Sequence, residues 1–226
     1  MPAIRGFLLD IDGTLLDSND AHAEAWERAL AEAGFAVPFS RIRPLVGMGG
    51  DKVVPLLTGL SADSPEGERL QERRGEIFRS ELLPALRPFP KARELLEELG
   101  RRRIRRVVAT SASEEDMKVL LEQAGVGDLM DETVTHDDVD RSKPDPDIVA
   151  TALAKAGLRP EQAMLVGDTP YDVEAALRAG VPPIGVRSGG WRDNDLHGAV
   201  AVFDDVSELC AHLDDVLLSK RLAKVG

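Results

Sequence analysis

The sequence predicts an α/β protein in which a doubly wound, mainly parallel sheet is interrupted by an all-helical insertion. Three observations carry that expectation. The apolar run Phe7-Leu8-Leu9 stops abruptly at Asp10-Ile11-Asp12-Gly13-Thr14-Leu15, as a buried parallel strand does where it delivers side chains to the sheet edge. From residue 91 onward, short apolar runs alternate strictly with helical patterns, the mark of repeated βα units with helices on both faces. Between residues 18 and 86 there is only helical periodicity. The expected organisation is a core of residues 1–16 and 88–226 carrying a helical cap over 17–87.

The first strand is read over residues 4–10. Within the insertion, Ala21, Ala25, Ala29 and Leu30 share a helical face with Trp26 nearby; Ile42, Leu45 and Val46, then Val53, Val54, Leu56 and Leu57, form further apolar clusters. A polar link over 58–67 leads to a helix over 68–83, and hinges fall near Leu16-Asp17 and Arg87-Pro88-Phe89-Pro90. The core then predicts a helix over 91–99 stopping at Gly100, a strand over 107–109 and a helix over 114–124 closed by Gly125. A strand over 132–135, a loop, a helix over 148–156 and a strand over 164–166 follow, then a helix over 170–179 stopped by Gly180. Strands over 184–186 and 200–203 and one amphipathic helix over 206–218 complete the chain. The basic run Arg101-Arg102-Arg103-Ile104-Arg105-Arg106 lies where a helix gives way to a strand, and reads as a solvated turn because cations suit a helix C-terminus.

Forty acidic against 28 basic residues give a net charge of −12, which excludes nucleic acid and anionic membrane as main partners and suits carboxylates gathered round a cation. The single cysteine, Cys210, excludes an internal disulfide, fits a reducing compartment and reads as a small core residue. Neither a leader nor an apolar run of membrane-spanning length, about 18 residues, is seen. A cytoplasmic monomer or homodimer is expected.

Polar clusters converge on the C-terminal ends of the predicted strands, where open α/β sheets bind ligands: Asp10, Asp12 and Thr14; Thr110 and Ser111; Ser142-Lys143-Pro144-Asp145-Pro146; and Gly167-Asp168-Thr169-Pro170-Tyr171-Asp172. Each has an ordinary structural alternative. Asp12-Gly13 suits a turn, Ser111 or Ser113 a helix N-cap, Lys143 a loop, and Thr169-Pro170 a helix start. Their joint occurrence in this order favours function. Asp10, Asp168 and Asp172 supply an oxygen-rich site for a hard divalent cation such as Mg²⁺. Lys143 and the Ser111 hydroxyl supply charge and a donor for a transferring phosphoryl group, one carboxylate serves as nucleophile and a second moves a proton.

These motifs, DxDGT, a strand-end Ser or Thr, a KPxP lysine and GDxxxD, resemble those of the haloacid dehalogenase superfamily, in the same order and across the whole chain. The helical insertion resembles the C1 cap of the phosphoglycolate phosphatase and β-phosphoglucomutase-like branch. The resemblance implies that Asp10 attacks phosphorus while Asp12 protonates the leaving alkoxide and then activates water. It implies Mg²⁺ held by Asp10, the Asp12 carbonyl and Asp168, with Asp172 direct or through water, and phosphate held by Thr14, Ser111 and Lys143. Ser111 is preferred to Thr110, which a one-residue shift would exchange with it.

His22 near the hinge resembles a residue that couples cap closure to catalysis in the phosphomutase branch; an exposed helix histidine is the alternative. The loop Val46-Gly47-Met48-Gly49-Gly50-Asp51-Lys52 follows no strand and lacks a third glycine, so it is no dinucleotide fingerprint. It resembles the cap's substrate loop, Gly47, Gly49 and Gly50 allowing backbone approach to a ligand. Gly50 stands where the phosphomutases carry a phosphate-clamping arginine, and Lys52 replaces that fork only weakly. The sequence therefore predicts a Mg²⁺-dependent phosphatase acting on a small phosphorylated metabolite, phosphoglycolate or a sugar phosphate. A β-phosphoglucomutase-like mutase and a non-enzymatic phospho-acceptor signalling domain are the alternatives. No G-x-S-x-G or P-loop motif occurs.

Overall fold

The computed structural model describes residues 3–218; the ends of the predicted core, residues 1–2 and 219–226, lie outside the described residues. Six strands form one all-parallel sheet: β1 (Gly6–Leu9), β2 (Arg105–Ala109), β3 (Glu132–Val134), β4 (Ala163–Gly167), β5 (Pro183–Val186) and β6 (Ala201–Phe203), in the order β3-β2-β1-β4-β5-β6. The chain winds outward from β1 to β3, then crosses back to lay β4 on the other side of β1. The crevice at such a reversal of strand order is where doubly wound sheets bind ligands.

Strand β1 is buried on both faces, as its unbroken apolar run requires. Phe7 and Leu9 join a cluster with Leu95, Leu96 and Leu99, whereas Leu8 joins Val107, Leu165, Ile148 and Val149 on the opposite face. Leu8 pairs in register with both Val107 and Leu165 at the centre of the sheet.

From the end of β1 to residue 87 the described elements are helical: α1 (Asn19–Glu32), α2 (Phe39–Ile42) with a 3-10 turn (Arg43–Leu45), α3 (Gly50–Thr58) and α4 (Pro65–Ile77), which continues through a π turn (Phe78–Leu82) and a 3-10 turn (Leu83–Ala85). Helix α4 starts earlier than the periodicity suggested, because Ser64 caps it by accepting from Gly67 N and Pro65 sits in its first turn. The segment's two ends lie side by side: Asp17 N donates to Arg87 O at 3.1 Å and Phe89 N to Leu15 O at 3.0 Å. Trp26, Leu30, Ile42 and Phe78 belong to the same apolar cluster as Leu15, Leu16 and one face of the sheet.

The remaining helices are α5 (Ala92–Arg101), α6 (Glu114–Gln123), α7 (Asp147–Ala156), α8 (Pro170–Arg178), α9 (Val206–Ala211) and α10 (Leu213–Leu218). Three expectations need correction. Gly100 does not end α5; it lies inside the helix, where a Cβ would come within 2.6 Å of Arg106 Nη1, and Arg103 (φ 58°) makes the turn instead. The final helix is broken at His212, whose ring stacks on Phe203. Cys210 is half-buried at the edge of the core. The basic run is a solvated turn: Arg101 and Arg102 pair with Glu98, and Arg106 pairs with Asp131.

Leu8→Ala is expected to lower the unfolding free energy by about 2–5 kcal/mol, read as a lower urea midpoint with an unchanged m-value.

Candidate active site

The site begins where β1 ends. Asp10 N donates to Val166 O at 3.0 Å, so the ladder between β1 and β4 runs one residue past the strand and delivers the Asp10 side chain beside Asp168. The loop before α7 adds Lys143, 1 % exposed, whose Nζ donates to Asp10 Oδ1 at 2.6 Å and to Asp172 Oδ1 at 2.7 Å. It is no ordinary loop lysine. The other Asp172 oxygen accepts from Thr169 N (3.1 Å) and Thr169 Oγ1 (2.6 Å), while Thr169 Oγ1 accepts from Asp172 N. Thr169-Pro170 is thus both an ordinary helix start and the clamp on a site carboxylate.

Asp168 is fixed from both sides. Asn19 Nδ2 donates to its Oδ2 at 2.7 Å and Thr14 Oγ1 to its Oδ1 at 3.4 Å. The expected phosphate holder Thr14 is therefore turned to Asp168. Close packing explains two glycines: a Cβ at Gly13 (φ 71°) would lie 2.3 Å from Asp168 Oδ2, and one at Gly189 would lie 1.7 Å from the same atom.

Asp10, Asp168 and Asp172 are buried, each with a carboxylate oxygen within 4.8 Å of the others. Burial pushes the Asp10 carboxyl up to about 8; Lys143 opposes the rise, and Asp172 and Asp12 add to it. Burial, then Asp172 and Asp10, likewise hold Asp168 well above the usual carboxylate range. Lys143 stays charged: burial opposes the ammonium, but Asp10 and Asp172 more than offset it. One ammonium cannot compensate three ionised carboxylates, so Asp10 and Asp168 favour their protons until a cation replaces them, and the donors are all oxygens. That set fits a hard divalent cation such as Mg²⁺.

The Asp12 carboxylate lies outside this cluster. Its Oδ1 accepts from Ser18 Oγ at 2.5 Å and lies 2.7 Å from His22 Nε2. Burial works to raise its pKa, yet attraction to His22 and Arg74 and the hydrogen bonds from His22 and Ser18 bring it below the usual value. His22 is 6 % exposed and stacked on Phe78 at 3.9 Å, so the exposed-helix alternative fails.

Ser111 and Thr110 both line the cleft and differ in one hydrogen bond. Thr110 Oγ1 accepts from Ala112 N at 3.1 Å, whereas Ser111 Oγ is buried with no partner among the described residues. The N-cap of α6 is Ser113. Ser111, Asp10, Asp12 and His22 line one narrow cleft of about 40 Å³, room for a few water molecules.

Of the predicted substrate loop, Val46, Gly47 and Met48 line the cleft, and at Gly47 the φ of 107° and the nearness of Thr169 admit no side chain. The others serve contacts. Gly49 N donates to Ser142 Oγ at 3.0 Å, and a Cβ at Gly50 would meet Gln71 Oε1 at 2.0 Å. Lys52 Nζ donates to Ser142 O at 2.6 Å and pairs with Asp145 at 2.9 Å, so it is tied to the KPxP loop rather than aimed into the cleft. Sequence reasoning missed Trp26 as a site residue, and Arg74 and Asp116 altogether. Trp26 and Arg74 line the cleft, and Arg74 pairs with Asp116 of α6 across the boundary between insertion and sheet. Only an apolar face marked Trp26 in the sequence, and nothing there marked Arg74 or Asp116.

The family model described as haloacid dehalogenase-like hydrolase matches residues 7–186. The chain belongs to that family. It is 32 % identical over 214 residues to a phosphoglycolate phosphatase of Rhodospirillum rubrum, covering 91 % of this chain and 89 % of that one. It is 30 % identical to an N-acetylmuramic acid 6-phosphate phosphatase of Pseudomonas aeruginosa, covering 95 % and 96 %. A hydrolase structure from Pseudomonas syringae superposes with a TM-score of 0.87 at 31 % identity, covering 93 % and 98 %. Family and relatives together make the chain an enzyme of the phosphatase class. Among the described residues no helix is long and apolar enough to cross a membrane.

The cluster predicts a pH signature. The Asp10 carboxyl is pushed from 3.8 to about 8 on folding, so the native state binds the proton more tightly and loses this stabilisation as pH rises between those values. Asp12 acts oppositely, its contribution being lost as pH falls below about 4. Metal-free protein should therefore show a falling Tm from about pH 5 to pH 8. A fixed Mg²⁺ concentration, a hundredfold above the Kd at pH 8, should add about 2.7 kcal/mol there, or roughly 5–10 °C, and less at pH 5, where protons compete for the carboxylates. Equal gains at both pH values would contradict the assignment.

Proposed function

We propose that the protein is a Mg²⁺-dependent phosphatase that cleaves small phosphorylated metabolites, phosphoglycolate or a sugar phosphate, through an aspartyl phosphate on Asp10. The observation that carries this reading is the division of labour at one strand end. Asp10 lies in the charged cluster with Lys143, while Asp12, two residues on, is held separately by Ser18 and His22. Paired carboxylates in unlike surroundings are how one site runs two proton and nucleophile roles.

Asp10 and Asp168, with Asp172 and the Asp12 carbonyl, hold the cation. When bound, it would neutralise phosphate charge, orient the ester and favour the ionised form of Asp10 that attack requires. Asp10 forms a bond to phosphorus as the ester oxygen leaves, and Asp12 gives that oxygen its proton. The arriving phosphate raises the pKa of Asp12 by like-charge repulsion, which makes the acid form available. In the second half Asp12 takes a proton from water, the water oxygen bonds to phosphorus, and the Asp10 carboxylate is released. Lys143 keeps a positive charge at the nucleophile, and the unpartnered Ser111 hydroxyl donates to a phosphate oxygen. Thr14 serves the phosphate indirectly, by holding Asp168.

Residues 17–87 act as the cap that excludes water and selects substrate, and His22 ties that segment to Asp12. Gly50 and Lys52 are occupied away from the cleft, which favours hydrolysis over returning the phosphoryl group to a sugar. Asp12 would shorten the life of an aspartyl phosphate, which speaks against a signalling role.

The test is phosphate release, with and without Mg²⁺, from 2-phosphoglycolate, hexose phosphates and nucleotides. Release should require the metal and disappear in Asp10→Asn. Asp12→Asn should lower kcat by about 10²–10⁴. His22→Ala should lower kcat by about 10–100-fold with little change in KM, as expected for loss of a hydrogen bond to a charged group. Isomerisation of glucose 1-phosphate without hydrolysis, or stable labelling of Asp10 by acetyl phosphate, would overturn the assignment.

A further inference from the structure

Arg74 enters the cleft from α4, and only part of its hydrogen-bonding capacity is used. Its Nη1 donates to Asp116 Oδ2 at 2.9 Å, and Asp116, 3 % exposed, also accepts from Arg79 Nη1 at 2.7 Å through its other oxygen. Arg79 has a second anion at the surface, Glu115 at 3.3 Å. Arg74 has its share of Asp116 and the attraction of Asp12, to which it makes no hydrogen bond among the described residues. Its guanidinium carbon lies 5.2 Å from the centre of the Trp26 ring, a cation–π contact that fixes where the group lies. Its Nε is buried and has no acceptor among the described residues.

A buried, charged donor without an acceptor is unfavourable, and Arg74 lines the same cleft as Asp10, Asp12 and Ser111. The missing acceptor is therefore supplied by whatever occupies the cleft. A carboxylate matches a guanidinium in charge and in its paired oxygens, and a charged acceptor bonds roughly twice as strongly as a neutral hydroxyl. Arg74 shares the lining of the cleft with Asp10 and Ser111, so the acceptor and the phosphate belong to one ligand. We propose that Arg74 is the specificity residue of the site, its free Nε edge taking the carboxylate of a small phosphorylated acid. This rests on the phosphatase reading above and narrows its substrate class.

The test uses Asp10→Asn protein with Mg²⁺, which holds esters without turnover, titrated with 2-phosphoglycolate and with 2-hydroxyethyl phosphate, the same ester with an alcohol in place of the carboxylate. The acid is expected to bind at least about tenfold more tightly. Adding Arg74→Gln should bring the ratio close to one, and Arg74→Lys should retain part of the preference. Equal affinities in the Asp10→Asn protein overturn the proposal, whether or not the Arg74 variants fold. So does a ratio that survives Arg74→Gln, or equal weakening of both ligands, which would mean that Arg74 acts through Asp12 or through cap position. The phosphatase reading fails separately: if the wild-type chain releases no phosphate from either ester while the binding preference stands, hydrolysis is lost and recognition is kept.

Discussion

A single buried ammonium holds the site together. Lys143 reaches from the loop after β3 to carboxylates that follow β1 and begin α8, and it is bonded to both. Removing a charge of this kind from water is unfavourable unless its partners are close and themselves held. That requirement explains the surrounding construction: Thr169 clamps the far side of Asp172, Asn19 and Thr14 clamp Asp168, and glycines at 13 and 189 leave no side chain between backbone and carboxylate. The sheet order meets the same need, since Asp10 and Asp168 become neighbours only because β4 returns to lie against β1.

The fold and the charged centre were legible in the sequence because both are written locally. A parallel strand buried on two faces reads as an apolar run, and its end is marked by the acids that follow. Asp10, Lys143, Asp168 and Asp172 could all be placed at one sheet edge from strand ends alone. The family resemblance then implied an order of roles. Side-chain direction was less accessible: Thr14 and Asp12 sit in the expected motif, yet one turns to Asp168 and the other to Ser18 and His22. Thr110 and Ser111 differ by a hydrogen bond to Ala112 that no spacing rule contains.

The insertion was harder. In the sequence Trp26 reads only as a neighbour of an apolar face, and Arg74 lies unmarked in a helix read over residues 68–83. Their meeting over the cleft depends on how α1 and α4 pack, and Asp116 joins them from a helix some 40 residues away in sequence. His22 could not be classed as buried or exposed until Phe78 was seen to cover it. Local misreadings such as Gly100 have a similar origin, for a glycine wanted for the close approach of Arg106 looks in sequence like one wanted for a helix stop.

The paired ends of the insertion bear on how such an enzyme diversifies. Leu15, Asp17, Arg87 and Phe89 bring the departing and returning chain together within hydrogen-bonding distance, one turn away from Asp12. Whatever lies between those two points can be lengthened, shortened or exchanged while the strand ends keep their spacing. Selection can then act on the helices and on the sheet edge almost independently, so that new substrates are acquired by rewriting one continuous stretch of gene, and the machinery that breaks the ester is inherited unchanged.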